Sequence, residues 1–206
     1  MNTNQEYKER ALASLEGNWG RAAIATLIVA LITGGISDVV SMPFGSSPAT
    51  SMGIQGLWTL ITLPMGWGLA IFFLNINRKE NIDYGRLFDG FKDYVRILLA
   101  EFLMVLAVAI GFCLLIVPGI MLAVGLTMTD YILKDDKEIS AIDALKKSWE
   151  MTKGHKMDLF WLGLSFIGWG ILSLLTLGIG FFFLVPYYQS AFAHYYEDLK
   201  ANKVIA

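Results

Sequence analysis

Three long apolar runs alternate with four charged segments along the chain. The apolar runs cover residues 22–77, 97–133 and 159–196. A bilayer core about 30 Å thick is crossed by roughly 20 helical residues, so each run is long enough for two crossings. The pattern predicts an all-α polytopic membrane protein with six transmembrane helices, arranged as three helical hairpins at about 22–76, 97–133 and 159–196.

The reversal within each run is predicted from turn residues. As one helix, residues 97–133 would be about 55 Å long, so a single kinked helix is the less favoured alternative. Proline lacks an N–H and glycine accepts a positive φ, which predicts a turn at 117–119, around Pro118 and Gly119. The glycine-containing segment 176–180 and the Ser/Gly/Pro-rich loop 41–55 are the corresponding predictions for the other two runs.

The basic residues predict the orientation. All 16 Lys and Arg fall in the segments 1–21, 77–96, 134–158 and 197–206, and none falls in the three predicted turns. Cytoplasmic loops carry the excess of Lys and Arg, so both termini are predicted to be cytoplasmic, and the chain 1–206 is predicted to form a single membrane domain. A cleaved signal peptide within residues 1–49 is the alternative, although the apolar stretch is longer than a usual signal core.

A short amphipathic segment precedes each hairpin, so that helix plus hairpin is repeated three times. We expect these segments to lie flat at the cytoplasmic interface. Ser140 and Asp143 occupy capping-box positions before the third, and Gly154 suits its C′ position. The predicted apolar faces are Tyr7, Ala11, Leu12 and Leu15, then Leu87, Phe88, Phe91, Tyr94 and Val95, then Ile142, Leu145, Trp149 and Thr152.

Composition agrees with a membrane protein and argues against several partners. The chain is 55% hydrophobic and 17% charged, whereas soluble domains carry about 25% charge. The net charge of −2 and the lack of a basic stripe argue against nucleic acid. The one cysteine, Cys113, excludes an intrachain disulfide.

Glu101 is the sharpest candidate for intramembrane chemistry, because a carboxylate at membrane depth is costly and is expected to face a partner or water. Alternatively it reaches cytoplasmic water or Arg96. Asp130, one turn from Lys134, is interpreted as interfacial. Pro64 and Pro186 interrupt the predicted second and sixth helices; plain proline kinks are the favoured interpretation, and broken helices that bind a substrate are the alternative. The candidate intramembrane polar site is Glu101, Tyr187, Tyr188 and Gln189.

Motifs for catalysis or for a cofactor are not found. His155, His194 and Cys113 lack the spacing of metal ligands, and no Ser-His-Asp grouping or nucleophile elbow occurs. We therefore predict no catalytic residue, no metal, no cofactor and no enzymatic activity.

Small residues recur every four positions on the predicted helices, for example at Ala22, Thr26 and Ala30. Such faces let helix backbones approach closely. They favour packing within the chain. The bilayer is the predicted partner, and a membrane protein partner or a homodimer is the alternative use of these faces.

The C-terminal third carries a pattern that includes Ser148 and Gly154 before the third run, and Gly178, Gly180 and Pro186 within it. With this pattern it resembles the bacterial integral membrane proteins of the domain of unknown function 975 family. The resemblance implies six helices and a bacterial inner membrane, and it carries no agreed activity. A weaker match covers Ala11, Leu15, Gly17 and Trp19. The family-pattern residues are Ser148, Gly154, Lys156, Leu164, Ser165, Phe166, Ile167, Trp169, Gly178, Ile179, Gly180, Pro186, Tyr187 and Tyr196.

These observations leave three classes of function open. The lack of chemistry and the three interface segments favour a non-enzymatic scaffold, regulatory or accessory membrane factor. The alternative is a small-solute or ion transporter or channel that uses Glu101 and the proline-broken helices 2 and 6. A membrane enzyme acting on lipid has the least support, because no cluster of acid, base or metal ligands lies at either interface.

Overall fold

The structure is a computed structural model that describes residues 2–44, 48–80 and 82–204, and within these ranges the secondary structure is helical, without strands. A π-helix at Leu31–Gly35 follows α2, and 3₁₀-helices lie at Met42–Phe44 and Tyr84–Phe91. The α-helices are α1 (Asn4–Leu15), α2 (Trp19–Ala30), α3 (Ile36–Ser41), α4 (Pro48–Thr62), α5 (Pro64–Asn77), α6 (Tyr94–Leu114), α7 (Ile116–Leu126), α8 (Thr129–Asp135), α9 (Ala141–Met151), α10 (Lys156–Leu164), α11 (Ile167–Leu175) and α12 (Phe181–Val204).

Several helices are long and apolar enough to cross a membrane. Among the described residues, four helices are long and apolar enough. Helix α1, together with α2 and the π-helix that follows α2, would be a fifth span if these two parts, bent by 95° relative to each other, cross as one. Only 22% of the most apolar part of α6 is buried within the protein, which suits a helix whose solvent is lipid. The four spans are Ala49–Asn77, Tyr94–Leu114, Ile116–Asp135 and Lys156–Leu175.

Helix α1 forms the first predicted amphipathic segment, and its buried face packs on protein. Thr3 caps the helix by accepting a hydrogen bond from the Glu6 N–H. Tyr7, with Ala11 and Leu15 on the same face, is fully buried, and its ring lies 4.7 Å from that of Tyr195 in α12. Helix α12 therefore covers this face of α1, while the position of α1 at the membrane interface stays a prediction.

The second predicted amphipathic segment is a 3₁₀-helix, Tyr84–Phe91, and its five predicted positions do not share a face. Leu87 is fully buried, whereas Phe88 is 44% and Val95 is 76% exposed. A 3₁₀-helix has three residues per turn, so the face expected from α-helical spacing is lost. The backbone at Leu87 instead packs tightly against Gly68 of α5.

Helix α9 forms the third amphipathic segment, and the face that it buries lies next to the predicted apolar one. The Ser140 hydroxyl caps it by accepting from the Asp143 N–H at 3.1 Å. The buried residues Ala141, Ala144 and Ser148 are small, which allows close approach to other helices. Each lies one position before a residue of the predicted face, about 100° around the helix. On the predicted face Thr152 is fully buried and Ile142 is 53% exposed.

The chain reverses between α6 and α7 earlier than predicted. Leu115 is extended, with φ of −164° and ψ of 157°, and it alone separates the two helices. Pro118 lies in the first turn of α7, where its missing N–H costs nothing. A turn at 117–119 is therefore wrong, and Gly119 instead lets α7 pack closely against Gly111 of α6.

The first predicted loop is shorter than expected, while the third turn lies where it was predicted. Helix α4 starts at Pro48, within the predicted loop 41–55, and residues 45–47 lie outside the described ranges. Between α11 and α12, Leu177 and Gly178 adopt φ of 53° and 87°. The glycine accepts this left-handed conformation without strain.

Neither proline breaks its helix. Pro64 begins α5 directly after Leu63, which keeps helical angles with φ of −53° and ψ of −41°, so that Ala49–Asn77 is one candidate span. Pro186 lies inside α12, which continues without interruption from Phe181 to Val204. This agrees with a plain proline position and not with a broken, substrate-binding helix. Pro186 removes only the hydrogen bond to the carbonyl four residues earlier, while α1, α2 and α5 pack along the helix and hold it.

Polar contacts join the four basic segments at one end of the helices. Arg78 at the end of α5 pairs with Asp135 of α8 at 2.7 Å and with Glu197 of α12 at 2.6 Å. Hydrogen bonds to these carboxylates, chiefly that to Asp135, raise the pKa of Arg78 above its usual value. Arg10 of α1 pairs with Asp198 of α12 at 3.2 Å. Both chain ends therefore meet the ends of α5 and α8.

Candidate functional site

The reversal at Leu115 brings two acidic side chains together. Glu101 lies 14 residues before Leu115 and Asp130 lies 15 residues after it. Because α6 runs back along α7 and α8, both residues reach the same level, and their carboxyl groups are close enough for a hydrogen bond between them. We call Glu101 and Asp130 the acid pair.

The surroundings of Asp130 leave a buried acceptor without a donor. Its Oδ1 is buried and, apart from the Glu101 carboxyl group, has no hydrogen-bond partner among the described residues. The Asp130 backbone is held in place, because Trp67 of α5 donates its indole N–H to the Asp130 carbonyl at 3.0 Å. Two carboxylates in contact repel when both are ionised. The acid pair therefore requires a shared proton or a bound cation.

Nearby basic residues are engaged elsewhere and do not neutralise the acid pair. The Arg96 guanidinium donates to the carbonyls of Asp136 and Leu133 at 3.0 and 3.3 Å, so Glu101 does not pair with it. The ion pairs of the described residues include none between Asp130 and Lys134. The carboxyl group of Asp130 therefore faces Glu101 rather than Lys134, and its position at the membrane interface stays a prediction.

A cleft of about 490 Å³ opens beside the acid pair, between α6, α7–α8 and α12. We call it the acid-pair cleft. Its polar lining is Thr127, Asp130, Tyr131, Tyr188 and Gln189, and its apolar lining is Met104, Val105, Val108, Ala109, Ala123 and Phe192.

Aromatic and amide groups shape the polar end of the acid-pair cleft. The Tyr131 hydroxyl donates to the backbone and side-chain oxygens of Gln189, both at 3.5 Å. Tyr188 stacks on Phe192 with a ring separation of 4.3 Å. The cleft thus offers a carboxyl group, a phenol and an amide to a polar guest.

The structure brings together three of the four residues proposed for the polar site. Glu101 contacts Asp130, which lines the same cleft as Tyr188 and Gln189. Tyr187 points elsewhere: its ring packs edge-on against Phe166 at 5.0 Å.

Asp130, Tyr131 and Trp67 are residues of the site that the sequence analysis missed. The sequence signal for Asp130 was its distance along the chain from the reversal at Leu115, which is almost equal to the distance of Glu101 from the same residue. A turn placed at Pro118 and Gly119 shifts the two acids about six residues out of level, or about 9 Å along a helix. No comparable signal in the sequence points to Trp67 as the donor to Asp130.

Several family-pattern residues have structural roles for which their residue type is suited. Ser148 donates to the Gly125 carbonyl at 2.9 Å and accepts from the Met128 N–H at 3.2 Å. This bond satisfies an N–H where α7 gives way to α8. Gly154 has φ of +86° just after α9, one position later than predicted.

The remaining family-pattern residues lie around α10, α11 and α12. The Ser165 carbonyl accepts a hydrogen bond from the Lys8 ammonium at 3.0 Å. Gly180 packs against the backbone of Ser173, and Gly178 provides the turn. Trp169 is 52% exposed.

Among residues 2–44, 48–80 and 82–204, no group of three or more His, Cys, Asp or Glu side chains is placed to hold a metal ion. The acid pair supplies two carboxyl groups. Cys113 is a free, exposed thiol near the end of α6.

The fold and the site together define a helical protein of membrane-spanning character with a buried pair of carboxyl groups. Residues 106–203, slightly less than half of the chain, match the family described as "Protein of unknown function (DUF975)", which confirms the resemblance for that segment. The match includes Asp130 and α12 up to its penultimate residue but not Glu101. No curated protein and no solved structure matches the chain.

Proposed function

We propose that the protein is a non-enzymatic, multi-pass inner-membrane protein that binds a proton or a small cation at the acid pair, as a small-solute or ion transporter or channel does. The observation that carries this proposal is the contact between Glu101 and Asp130 beside a cleft, with Asp130 Oδ1 buried and lacking a donor. Ionisable residues at membrane depth mark ion or substrate pathways.

The six-helix arrangement completes this proposal. Helices α2–α3 and α12 join the four spans as further crossings, which gives three hairpins with both termini in the cytoplasm. The convergence of Arg10, Arg78, Asp135 and Asp198 at one end supports this topology, since an even number of crossings returns every basic segment to one side.

Flux through reconstituted protein tests the function. Proteoliposomes holding a pH-sensitive dye are driven by a potassium gradient and valinomycin, with sodium added outside in a second series. We expect Glu101→Gln and Asp130→Asn to lower the proton or sodium flux at least tenfold, because each removes one of two carboxyl groups that hold the ion. Asp143→Asn, which replaces an exposed acid in the first turn of α9, is the matched control and should keep the wild-type flux.

Two results would contradict the proposal. One is wild-type flux equal to that of empty liposomes for both ions. The other is equal flux in wild type and in both acid-pair variants. Folding of each variant is checked by its elution from a sizing column and its thermal unfolding in detergent.

Thiol labelling tests water access and topology in the same protein. In a Cys113→Ser background, Glu101→Cys should react with a membrane-impermeant thiol reagent, because a cleft that exchanges an ion must admit water. Leu177→Cys, in the 95% exposed turn after α11, should react only from outside, and Lys137→Cys only from inside. A silent cysteine at 101 beside reactive controls would refute aqueous access.

A scaffold, regulatory or accessory role is the second candidate, and the outer face of α9 supports it. Ile142 is 53% exposed and Trp149 is half-buried, beside exposed lysines. A photoreactive residue at Ile142 should then give one discrete crosslinked protein in cells, while the same residue at the lipid-facing position Leu174 should not. Crosslinking to lipid alone at both positions would argue against this role.

A further inference from the structure

A second cleft, separate from the acid-pair cleft, lies between α7 and α10. It has a volume of about 610 Å³, and we call it the α7–α10 groove. Its walls are apolar except for two lysines in and beside the α9–α10 connection. The residues used below are Val117, Met121, Val124, Phe160, Lys153 and Lys156.

The two lysines mark one end of the groove. A Cβ added to Gly125, near the C-terminal end of α7, would lie 3.1 Å from Lys156 Cε. Val117 lies in the first turn of the same helix, eight residues earlier, which is about 12 Å of helix rise. The groove therefore extends from a cationic end over an apolar length close to one leaflet of hydrocarbon, which is about 15 Å, half of the bilayer core.

Both lysines lack a carboxylate partner among the described residues, unlike their neighbours on α9. Lys146 pairs with Asp143 at 3.6 Å and Lys147 with Asp136 at 3.8 Å, but no ion pair involves Lys153 or Lys156. The nearest acid on α10, Asp158, faces His155 at 3.5 Å. Two positive charges thus remain uncompensated at the end of the groove.

Lys156 is also held in position. Its ammonium lies over the ring of Trp149, 2.6 Å from the centroid, and this cation–π contact fixes the side chain. The ring occupies only one side of the ammonium, so other N–H donors stay available to an anion. Lys153, which is exposed, adds a second donor beside it.

We propose that the α7–α10 groove is a binding site for an anionic phospholipid, with the phosphate at Lys153 and Lys156 and an acyl chain along Val117, Met121 and Phe160. Charge complementarity selects this occupant, because the groove is cationic at one end only and apolar along the rest. Basic pockets between transmembrane helices bind anionic head groups in this way.

Thermal unfolding in detergent tests the site with defined lipids. The full chain in dodecyl maltoside is supplemented with dioleoyl phosphatidylglycerol or with dioleoyl phosphatidylcholine, and unfolding is followed by tryptophan fluorescence. We expect phosphatidylglycerol to raise the Tm about 5 °C more than phosphatidylcholine does, since a ligand bound only to the native state stabilises it. Lys153→Gln with Lys156→Gln should abolish most of that difference.

Two further variants separate the site from diffuse charge and from a bare phosphate site. Lys146→Gln with Lys147→Gln removes the same charge outside the groove and should keep the full effect. Met121→Trp fills the apolar part while leaving both lysines, and it should weaken the effect. Inorganic phosphate alone should have none, because it lacks the acyl chain.

Three outcomes would overturn the proposal. The first is an equal Tm rise with both lipids, and the second is an equal loss of the phosphatidylglycerol effect in the two double lysine variants. The third is a Tm rise with inorganic phosphate as large as that with phosphatidylglycerol. If the Lys153 and Lys156 double variant does not fold, native mass spectrometry of Met121→Trp and wild type decides. Wild type must then retain more phosphatidylglycerol than Met121→Trp does, and equal retention refutes the site.

Discussion

At the scale of single residues, Ser148 shows how one hydroxyl stabilises a helix break. It donates to the Gly125 carbonyl and accepts from the Met128 N–H, at the point where α7 ends and α8 begins. Thr152 also donates to the Gly125 carbonyl, at 3.1 Å. A buried backbone group without a partner costs about 1–3 kcal/mol, so these side chains replace bonds that the interrupted helix cannot make.

Replacing this hydroxyl tests that role. Ser148→Ala leaves the Met128 N–H without its acceptor, and we expect a loss of about 1–3 kcal/mol in the free energy of unfolding. Thr59→Ala is the control, because the exposed Thr59 hydroxyl bonds only to a carbonyl of its own helix; its effect should stay within about 0.5 kcal/mol. Unfolding in mixed micelles with increasing dodecyl sulfate measures both. Equal effects would show that Ser148 does not support the break.

The acid pair shows what a single sequence reveals about a site. The isolation of Glu101 in an apolar run was sufficient to select it. Asp130 was assigned to the interface because Lys134 follows one turn later, and only the correct reversal point places it opposite Glu101. Tyr187 was grouped with Tyr188 and Gln189 as neighbours in the chain, but consecutive residues of a helix point about 100° apart, so they reach different clefts.

At the scale of elements, two glycines allow the 3₁₀-helix Tyr84–Phe91 to pack on α5. A Cβ on Gly90 would lie 2.5 Å from the Pro64 carbonyl oxygen, and one on Gly68 would collide with the Leu87 carbonyl. Both contacts are with backbone, which cannot move aside as a side chain can. The glycines therefore fix the distance between these elements.

An alanine at this contact should separate the two elements. We expect Gly68→Ala to destabilise the protein by about 3 kcal/mol or more, since overpacking against fixed backbone forces a shift. Gly168→Ala is the matched control, because a Cβ there meets nothing within 4 Å. It should be neutral or slightly stabilising, since alanine favours a helix over glycine. Tm values of the two purified variants provide the comparison, and equal Tm values would contradict the contact.

The helices and turns could be predicted from the sequence more reliably than the face that each helix buries. Apolar run lengths were sufficient to predict an all-helical membrane class, and glycines marked the turn at 176–180. In helix α9 the apolar period was predicted correctly, with Ile142 and Trp149 on one face. The sequence did not indicate that the small residues Ala144 and Ser148, about 100° around the helix, would be the ones buried against protein.

At the scale of the whole molecule, Arg78 connects three parts of the chain. Its guanidinium binds Asp135 with two nitrogens, at 2.7 and 2.9 Å, and Glu197 with a third. The side chains of Arg78 and Asp135 are 20% and 17% exposed, so water screens the pair only partly. This cluster joins the ends of α5, α8 and α12.

Removing the guanidinium should loosen all three ends together. We expect Arg78→Gln to cost about 1–3 kcal/mol, because it removes the charged partner of Glu197 and leaves Asp135 with only Tyr196 and Lys200. Arg78→Lys should recover part of this loss, since it restores the charge but not the forked geometry. Lys92→Gln, which breaks an exposed pair with Asp89, should change stability by less than about 1 kcal/mol. Hydrogen exchange at the ends of α5 and α12 reports the loosening, and unchanged exchange in Arg78→Gln would contradict it.

The bonds across the α7–α8 break constrain the order in which the chain can assemble. The backbone groups around the break are bonded by Trp67, which is synthesised earlier, and by Ser148 and Thr152, which are synthesised later. During synthesis, residues 116–135 therefore enter the membrane before their last two partners exist. The bent shape of α7–α8, and with it the level at which Asp130 meets Glu101, becomes permanent only when α9 emerges and docks.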